Sequence, residues 1–154
     1  MIEIGKMSEG DTAKAAAMEQ KIFSDPWSAE SFAQTLDNPN AVMLAAYDDG
    51  QLAGYCCMYK VLDEGEIVNV AVAPQFRRKG IAHAMLDVIL GDGYSKDLAC
   101  IFLEVREHNL PAQELYKKMG FEFIGRRKNF YEKPVEDALV MRLSRQNKGM
   151  VDSL

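Results

Sequence analysis

Apolar residues recur along this chain in two rhythms, every second position or every third to fourth, and the switches between them predict its elements. Ile2-Glu3-Ile4 alternates as a short strand does. Asp11 stands where a helix N-cap belongs, and Ala15, Ala16, Met18 and Ile22 follow at helical spacing toward Phe23. Asp25-Pro26-Trp27 interrupts that run and Ser28 can cap a second helix through Phe32 and Leu36. Asn38-Pro39 ends it, because the residue before proline is pushed out of the helical region. Strands over 42–47 and 52–59 flank Asp48-Asp49-Gly50, whose Asp-Gly pair suits a tight hairpin. Residues 66–73 are nearly all apolar and β-branched, which predicts a central strand buried on both faces and stopped by Pro74.

Gly80 then opens a helix carrying Ile81, Met85, Leu86, Ile89 and Leu90, weakened at its close by Gly91 and Gly93. Residues 101–106 alternate as a strand, with Phe102, Glu104 and Arg106 on one face. Asn109 caps the next helix, Pro111 fits its first turn, Ala112, Leu115, Tyr116 and Met119 form its stripe, and Gly120 ends it. Residues 121–124 and 138–143 read as a last pair of strands. The order predicts an α/β (α+β) fold: a mixed, mostly antiparallel sheet of about six or seven strands with helices on both faces.

At 154 residues, 48% of them hydrophobic, the chain is the size of one domain with a continuous core, assigned to residues 1–144. Residues 145–154, polar and flexible in composition, read as a tail. A net charge of -5 argues against nucleic acid as the partner, so any anion must bind locally, at Arg77-Arg78-Lys79 or at Arg126-Arg127-Lys128. Three cysteines (Cys56, Cys57, Cys100) form no CxxC pair, and no leader or long apolar run stands out. The expectation is a cytoplasmic protein without membrane spans, metal or disulfide framework. His83 and His108 have no Ser or Cys partner at recognisable spacing and read as solvent-facing or capping residues.

The chemistry concentrates where the central strand runs into the first basic loop, from Val70 through Pro74 and Arg77-Arg78-Lys79 to Gly80-Ile81-Ala82. The first turn of a helix leaves backbone N–H groups unpaired and carries partial positive charge. Gly80 lets a phosphate approach the backbone, and the three cations add full charge. A solvated basic turn before an ordinary helix would read the same way. Neither GxGxxG nor GxxxxGK[ST] is present, which removes nicotinamide and nucleoside-triphosphate readings.

Arg77-x-x-Gly80-x-Ala82 resembles the coenzyme A pyrophosphate loop of the GNAT acetyltransferases, with alanine at the final small position. The resemblance runs from Asp11 to Leu143 and is sharpest to the ribosomal-protein alanine N-acetyltransferases of the RimI type. It is carried by Phe23-Ser-Asp-Pro-Trp-Ser28, Asn69-Val-Ala-Val-Ala-Pro74, Leu103-Glu-Val-Arg106 with Asn109, and Leu115-Tyr-Lys-Lys-Met-Gly-Phe121. Arg127-Lys-Asn-Phe-Tyr131 and Glu136-Asp-Ala138 complete it.

The resemblance implies acetyl-CoA as donor and splayed strands at its site. It implies cofactor contacts from Val70, Ala71, Val72, Arg77, Arg78, Lys79, Gly80, Ile81, Ala82 and Asn109, and peptide-entrance walls from Trp27, on a loop between helices, and Tyr131, on a loop between the last strands. It assigns Glu104 as general base and Tyr116 as the acid that protonates the departing thiolate, with direct attack in a ternary complex. The implied acceptor is a protein N-terminus, that of a ribosomal protein, and the implied state a monomer or weak homodimer. Chemistry agrees with the base: an α-amine of pKa about 8 is roughly nine-tenths protonated at pH 7 and must lose a proton before it attacks. Read alone, Glu104 could equally be a strand-end charge, Tyr116 a core tyrosine and Asn109 only a cap. Lysine side chains or polyamines remain alternative acceptors, and a non-catalytic coenzyme A sensor an alternative class.

Overall fold

The computed structural model describes residues 1–145. Alternating apolar runs become β1 (Ile2–Lys6), β2 (Ala41–Asp48), β3 (Gln51–Val61), β4 (Glu64–Val72), β5 (Cys100–Arg106), β6 (Glu122–Glu132) and β7 (Val135–Ser144). The helically spaced runs become α1 (Thr12–Ile22), α2 (Ala29–Leu36), α3 (Ile81–Ile89), α4 (Asp92–Ser95) and α5 (Leu110–Lys118). Asp49 and Gly50 both take positive φ, 51° and 84°, which turns β2 into β3 as a type I′ hairpin. Ser28 caps α2 by accepting from the Ser31 N–H, and Asn109 caps α5 by accepting from that of Ala112. Asp11 does not cap α1: its carboxylate turns back to Ser8 and the Tyr47 hydroxyl.

All seven strands join one sheet, in the order β1-β2-β3-β4-β5-β7-β6, antiparallel throughout except for β4 beside β5. A parallel neighbour requires a crossover, which α3 and α4 supply. α1 and α2 cover one face, packing Ala15 and Phe32 against Met43, Ala45, Tyr55 and Cys57. α3 and α5 cover the other, where Ile81, Met85, Leu86 and Tyr116 meet Leu44, Cys56, Met58 and Leu103. Cys56 and Cys57 are adjacent and both fully buried, one in each core, because successive strand residues point to opposite faces.

Three further expectations change. The central strand is not buried on both faces: Glu64 and Glu66 are exposed, and Val68, Val70 and Val72 are half-covered. The final hairpin is far longer than residues 121–124 and 138–143, so Tyr131 belongs to β6 and not to a loop. As the sheet's outer strand, β6 shows hardly any buried position and so carries no apolar rhythm to announce it. Arg145 is tied down, its N–H donating to the Ala99 carbonyl at 2.7 Å and its guanidinium to that of Leu90. The rest of the expected tail, 146–154, lies outside the described residues.

Candidate active site

β4 and β5 pair only from Glu64 to Ile67 against Cys100 to Leu103. Beyond Ile67, β4 follows β3 and beyond Leu103, β5 follows β7, so the sheet opens at its middle. A bulge marks the point of divergence: Met58 pairs with Ile67 and Cys57 with Asn69, leaving Val68 as the extra residue. Such bulges bend a strand and raise its twist. This one turns both Val68 and Asn69 toward the α1–α2 side.

Ladder alternation fixes the polar edge of the opening. The Ala73 N–H donates to the Ala53 carbonyl on the β3 side, so Val70 and Val72 turn their N–H and C=O groups the other way, into the opening. The Val72 carbonyl accepts from Arg77 Nε at 3.2 Å. An extended arm bearing amide groups fits this edge as an added strand would.

The loop that follows ends in an open backbone cradle. Gly80 takes φ 75° as N-cap of α3, and a Cβ built there meets nothing within 4 Å. The first backbone bond across this N-terminus runs from Ala84 N–H to the Gly80 carbonyl, which leaves the N–H groups of Ile81, Ala82 and His83 without helical partners. Arg78 also holds positive φ, 66°, a conformation that costs a non-glycine residue about 1–2 kcal/mol. The cradle suits a diphosphate, and the neighbouring edge suits the amide arm that follows the diphosphate in coenzyme A.

Not every expected cofactor contact is equally placed. Ile81 and Ala71 bury their side chains, so each can offer only backbone. Lys79 is engaged by Asp48 at 3.0 Å and lies over the Phe76 ring. Asn109 spends its carbonyl oxygen on the α5 cap, which leaves its amide N–H groups to reach a ligand. In the second basic run Arg126 is engaged by Glu107 at 2.8 Å and Asp137 at 2.9 Å.

Glu104 lies on the stretch of β5 that β4 has left, still paired with β7, and points to the α1–α2 side, because its neighbours Leu103 and Val105 fill the opposite core. Its Oε2 is buried without a hydrogen-bond partner among the described residues. Arg127 Nε stands 3.7 Å away, too far for a hydrogen bond but close enough to act electrostatically. Burial raises the carboxyl above its usual range, Arg127 opposes that rise and Glu66 adds to it. A cavity of about 270 Å³ beside it is walled by Tyr59, Glu64, Glu66, Phe102 and Arg127.

Tyr116 approaches from the other face. Burial chiefly, with smaller contributions from Tyr131 and Cys56, pushes its phenol up to about 12, and its hydroxyl has no hydrogen-bond partner among the described residues. Tyr131, raised to about 12 by burial and then by Glu104, is within electrostatic reach of both groups. Carboxyl and phenol thus occupy opposite faces of one sheet, and only the opening between them lets both reach a common point.

Arg106, two residues on from Glu104, gathers partners that its place in the sequence does not announce. It stacks under the Tyr131 ring at 4.2 Å, pairs with Glu136 at 2.9 Å, and donates to Ser24 Oγ and to the Pro134 carbonyl. The tip of the β6–β7 hairpin is thereby fastened to the α1–α2 loop that carries Trp27. His108 joins Glu136 at the rim and His83 pairs with Asp87, both in solvent.

A larger cavity, about 460 Å³, lies between α1, the β2–β3 turn and the Pro74–Phe76 turn, with Lys14 and Lys21 at its edge. It contains none of the unpartnered titratable groups just described. Among the described residues no group of three or more His, Cys, Asp or Glu could hold a metal ion, and no helix is long and apolar enough to cross a membrane.

Known proteins share this arrangement. The sequence profile of the Acetyltransferase (GNAT) family matches residues 13–121. The chain is 30% identical to the [Ribosomal protein bS18]-alanine N-acetyltransferase of Escherichia coli (strain K12), over 93% of this chain and 97% of that protein. A relative from Bacillus subtilis (strain 168), provisionally given the same activity, is 40% identical over 80% of this chain and 83% of its own length. The crystal structure of the E. coli ribosomal-protein-S18-alanine N-acetyltransferase superposes with a TM-score of 0.85 at 30% identity, covering 94% of each chain. Arabidopsis thaliana NAA60 bound to acetyl-CoA, at 21% identity, shares the fold with a TM-score of 0.85, covering 94% of this chain and 99% of its own. With its opened sheet, its glycine-capped cradle and these relatives, the chain belongs to the GNAT family of acetyl-CoA-dependent N-acetyltransferases.

Proposed function

We propose that this enzyme acetylates the N-terminal α-amine of a protein, specifically the N-terminal alanine of the small-subunit ribosomal protein bS18, by direct attack in a ternary complex. The observation that carries the reading is the Glu104 carboxyl, desolvated and with one oxygen unpartnered among the described residues, at the edge of the opened sheet and lining a cavity. The activity named for the E. coli relative supports the acceptor. Acetyl-CoA supplies the activated acyl group as a thioester.

The cradle N–H groups hold the diphosphate, and the Val70 and Val72 backbone edge orients the arm so that the acyl carbon reaches the opening. Glu104 takes the proton from the incoming amine, directly or through one water, from the α1–α2 side. Tyr116, from the opposite side, donates a proton to the departing sulfur. Burial makes the Glu104 carboxyl a better proton acceptor, and a phenol pushed up to about 12 is protonated at neutral pH and so has a proton to give. Trp27 and Tyr131 wall the entrance, and the exposed Glu64 and Glu66 favour a basic N-terminal segment.

Incubating the protein with labelled acetyl-CoA and ribosomal proteins, then sequencing modified N-termini by mass spectrometry, tests the reading. Label on an N-terminal alanine is expected; label confined to lysine side chains or polyamines would refute it.

A further inference from the structure

The mechanism leaves unused the most deeply buried carboxyl among the described residues. Glu19 is 1% exposed on the inner face of α1, one turn beyond the buried Ala15. An acidic side chain on the apolar stripe of a helix is costly to desolvate and persists only where donors surround it. Three surround this one, each from a different element. Oε1 accepts from the Tyr55 hydroxyl of β3 at 2.7 Å and from the Asn69 side-chain amide of β4 at 2.5 Å. Oε2 accepts from the Trp27 backbone N–H in the α1–α2 loop at 3.1 Å.

The identity of those donors is informative. Asn69 is the first residue after the bulge, where β4 parts from β5. Trp27 packs on Phe32 at 5.3 Å between ring centres, and Phe32 in turn meets Tyr55 edge-on at 5.3 Å. One carboxyl therefore ties the entrance wall to the strand edge that borders the reaction centre. An apolar residue of similar size would fill the space and leave all three donors unpaired.

We propose that Glu19 is a positioning residue for the acceptor: it sets Trp27 against β4 so that an incoming N-terminus is held over the opening. This rests on the reading of Trp27 as an acceptor wall.

Glu19→Gln tests it. A glutamine matches the volume but has only one accepting oxygen, so in either amide orientation its NH2 faces a donor, at Trp27 or at Asn69. With a basic hexapeptide beginning in alanine, the variant should raise the peptide KM roughly tenfold, the size of one lost hydrogen bond to a carboxyl. The acetyl-CoA KM and kcat should stay within about twofold, because neither the cradle nor Glu104 is touched. Trp27 is the chain's single tryptophan, so its emission reports the wall directly, and the variant should shift it to the red and admit more acrylamide quenching.

An unchanged peptide KM would overturn the proposal, as would equal rises in both KM values with unaltered emission, the mark of a purely structural role. Should the variant not fold, titration of the unaltered protein decides. The hexapeptide must change Trp27 emission, and its failure to do so at saturating turnover overturns the inference. If the unaltered protein does not acetylate the hexapeptide at all, the acceptor reading fails instead, a distinct result.

Discussion

Glu104→Gln replaces one oxygen by an NH2 group and keeps the volume of a side chain whose Oε2 has no hydrogen-bond partner among the described residues, so structure and proton transfer separate cleanly in this variant. General-base assistance contributes roughly 100-fold to 10,000-fold. The lower end applies here, because Arg127 at 3.7 Å holds the carboxyl back from a strongly basic state. A loss of about 100-fold in kcat/KM at pH 7 is therefore expected. It should shrink by about tenfold toward pH 9, as an amine of pKa about 8 comes to supply its own neutral form.

Stability should move the other way. The folded-state pKa of Glu104 is raised above its unfolded value, so its favourable contribution is present below the unfolded pKa and is lost as pH rises through the folded one. At neutral pH the ionised side chain is a liability that glutamine removes. The Tm of the variant should equal or exceed that of the parent at pH 7, with the advantage disappearing near pH 4. Steady-state kinetics with an alanine-starting peptide, alongside calorimetric melting, measures both. A kcat/KM within about twofold of the parent at pH 7 would refute the base assignment, and a drop in Tm with it would show that the carboxyl serves the fold.

Other outcomes follow from the same geometry. Tyr116→Phe removes a hydroxyl that makes no hydrogen bond among the described residues, so stability should hold while kcat falls roughly tenfold to 100-fold; a kcat within twofold would release Tyr116 to the core. Gly80→Ala forces a Cβ onto φ 75°, costing about 1–2 kcal/mol, and should weaken acetyl-CoA binding by about tenfold in titration calorimetry without altering the peptide KM. Glu136 is held below its usual pKa chiefly by the His108 N–H and then by Arg106. Its contribution is thus present above the unfolded pKa and lost as pH falls through the folded one. Glu136→Gln should lower Tm at pH 7 and leave it unchanged at pH 3, with a raised peptide KM if Arg106 swings free of the hairpin.

Much of this was legible in the sequence where one local cause dominates. The Asp-Gly hairpin, the Ser28 and Asn109 caps and the left-handed Gly120 each follow from a single residue's backbone chemistry, and each stands where the residue pattern put it; Gly80 opens α3 as expected, in a left-handed conformation that the pattern did not specify. The opening of the sheet was anticipated only through resemblance. Its physical agent, the bulge at Val68, leaves no mark in a run of β-branched residues. Arg106 and Glu19 escaped notice for a related reason: a charged residue on a strand face or helix stripe reads as solvated until its partners arrive from elements 30 or more positions away, as Glu136 and Tyr55 do. Tyr131 was placed in a loop because β6, exposed along nearly its whole length, has no core to impose a period.

The account's central claim is that the opening between β4 and β5 is where acyl donor and amine meet. A crystal structure with a coenzyme A–peptide bisubstrate analogue tests it most directly. The diphosphate should lie on the N–H groups of Ile81, Ala82 and His83, and the joined amide nitrogen should fall between Glu104 and Tyr116. Binding of the analogue in the larger cavity beside Lys14 and Lys21, with the opening left empty, would contradict it.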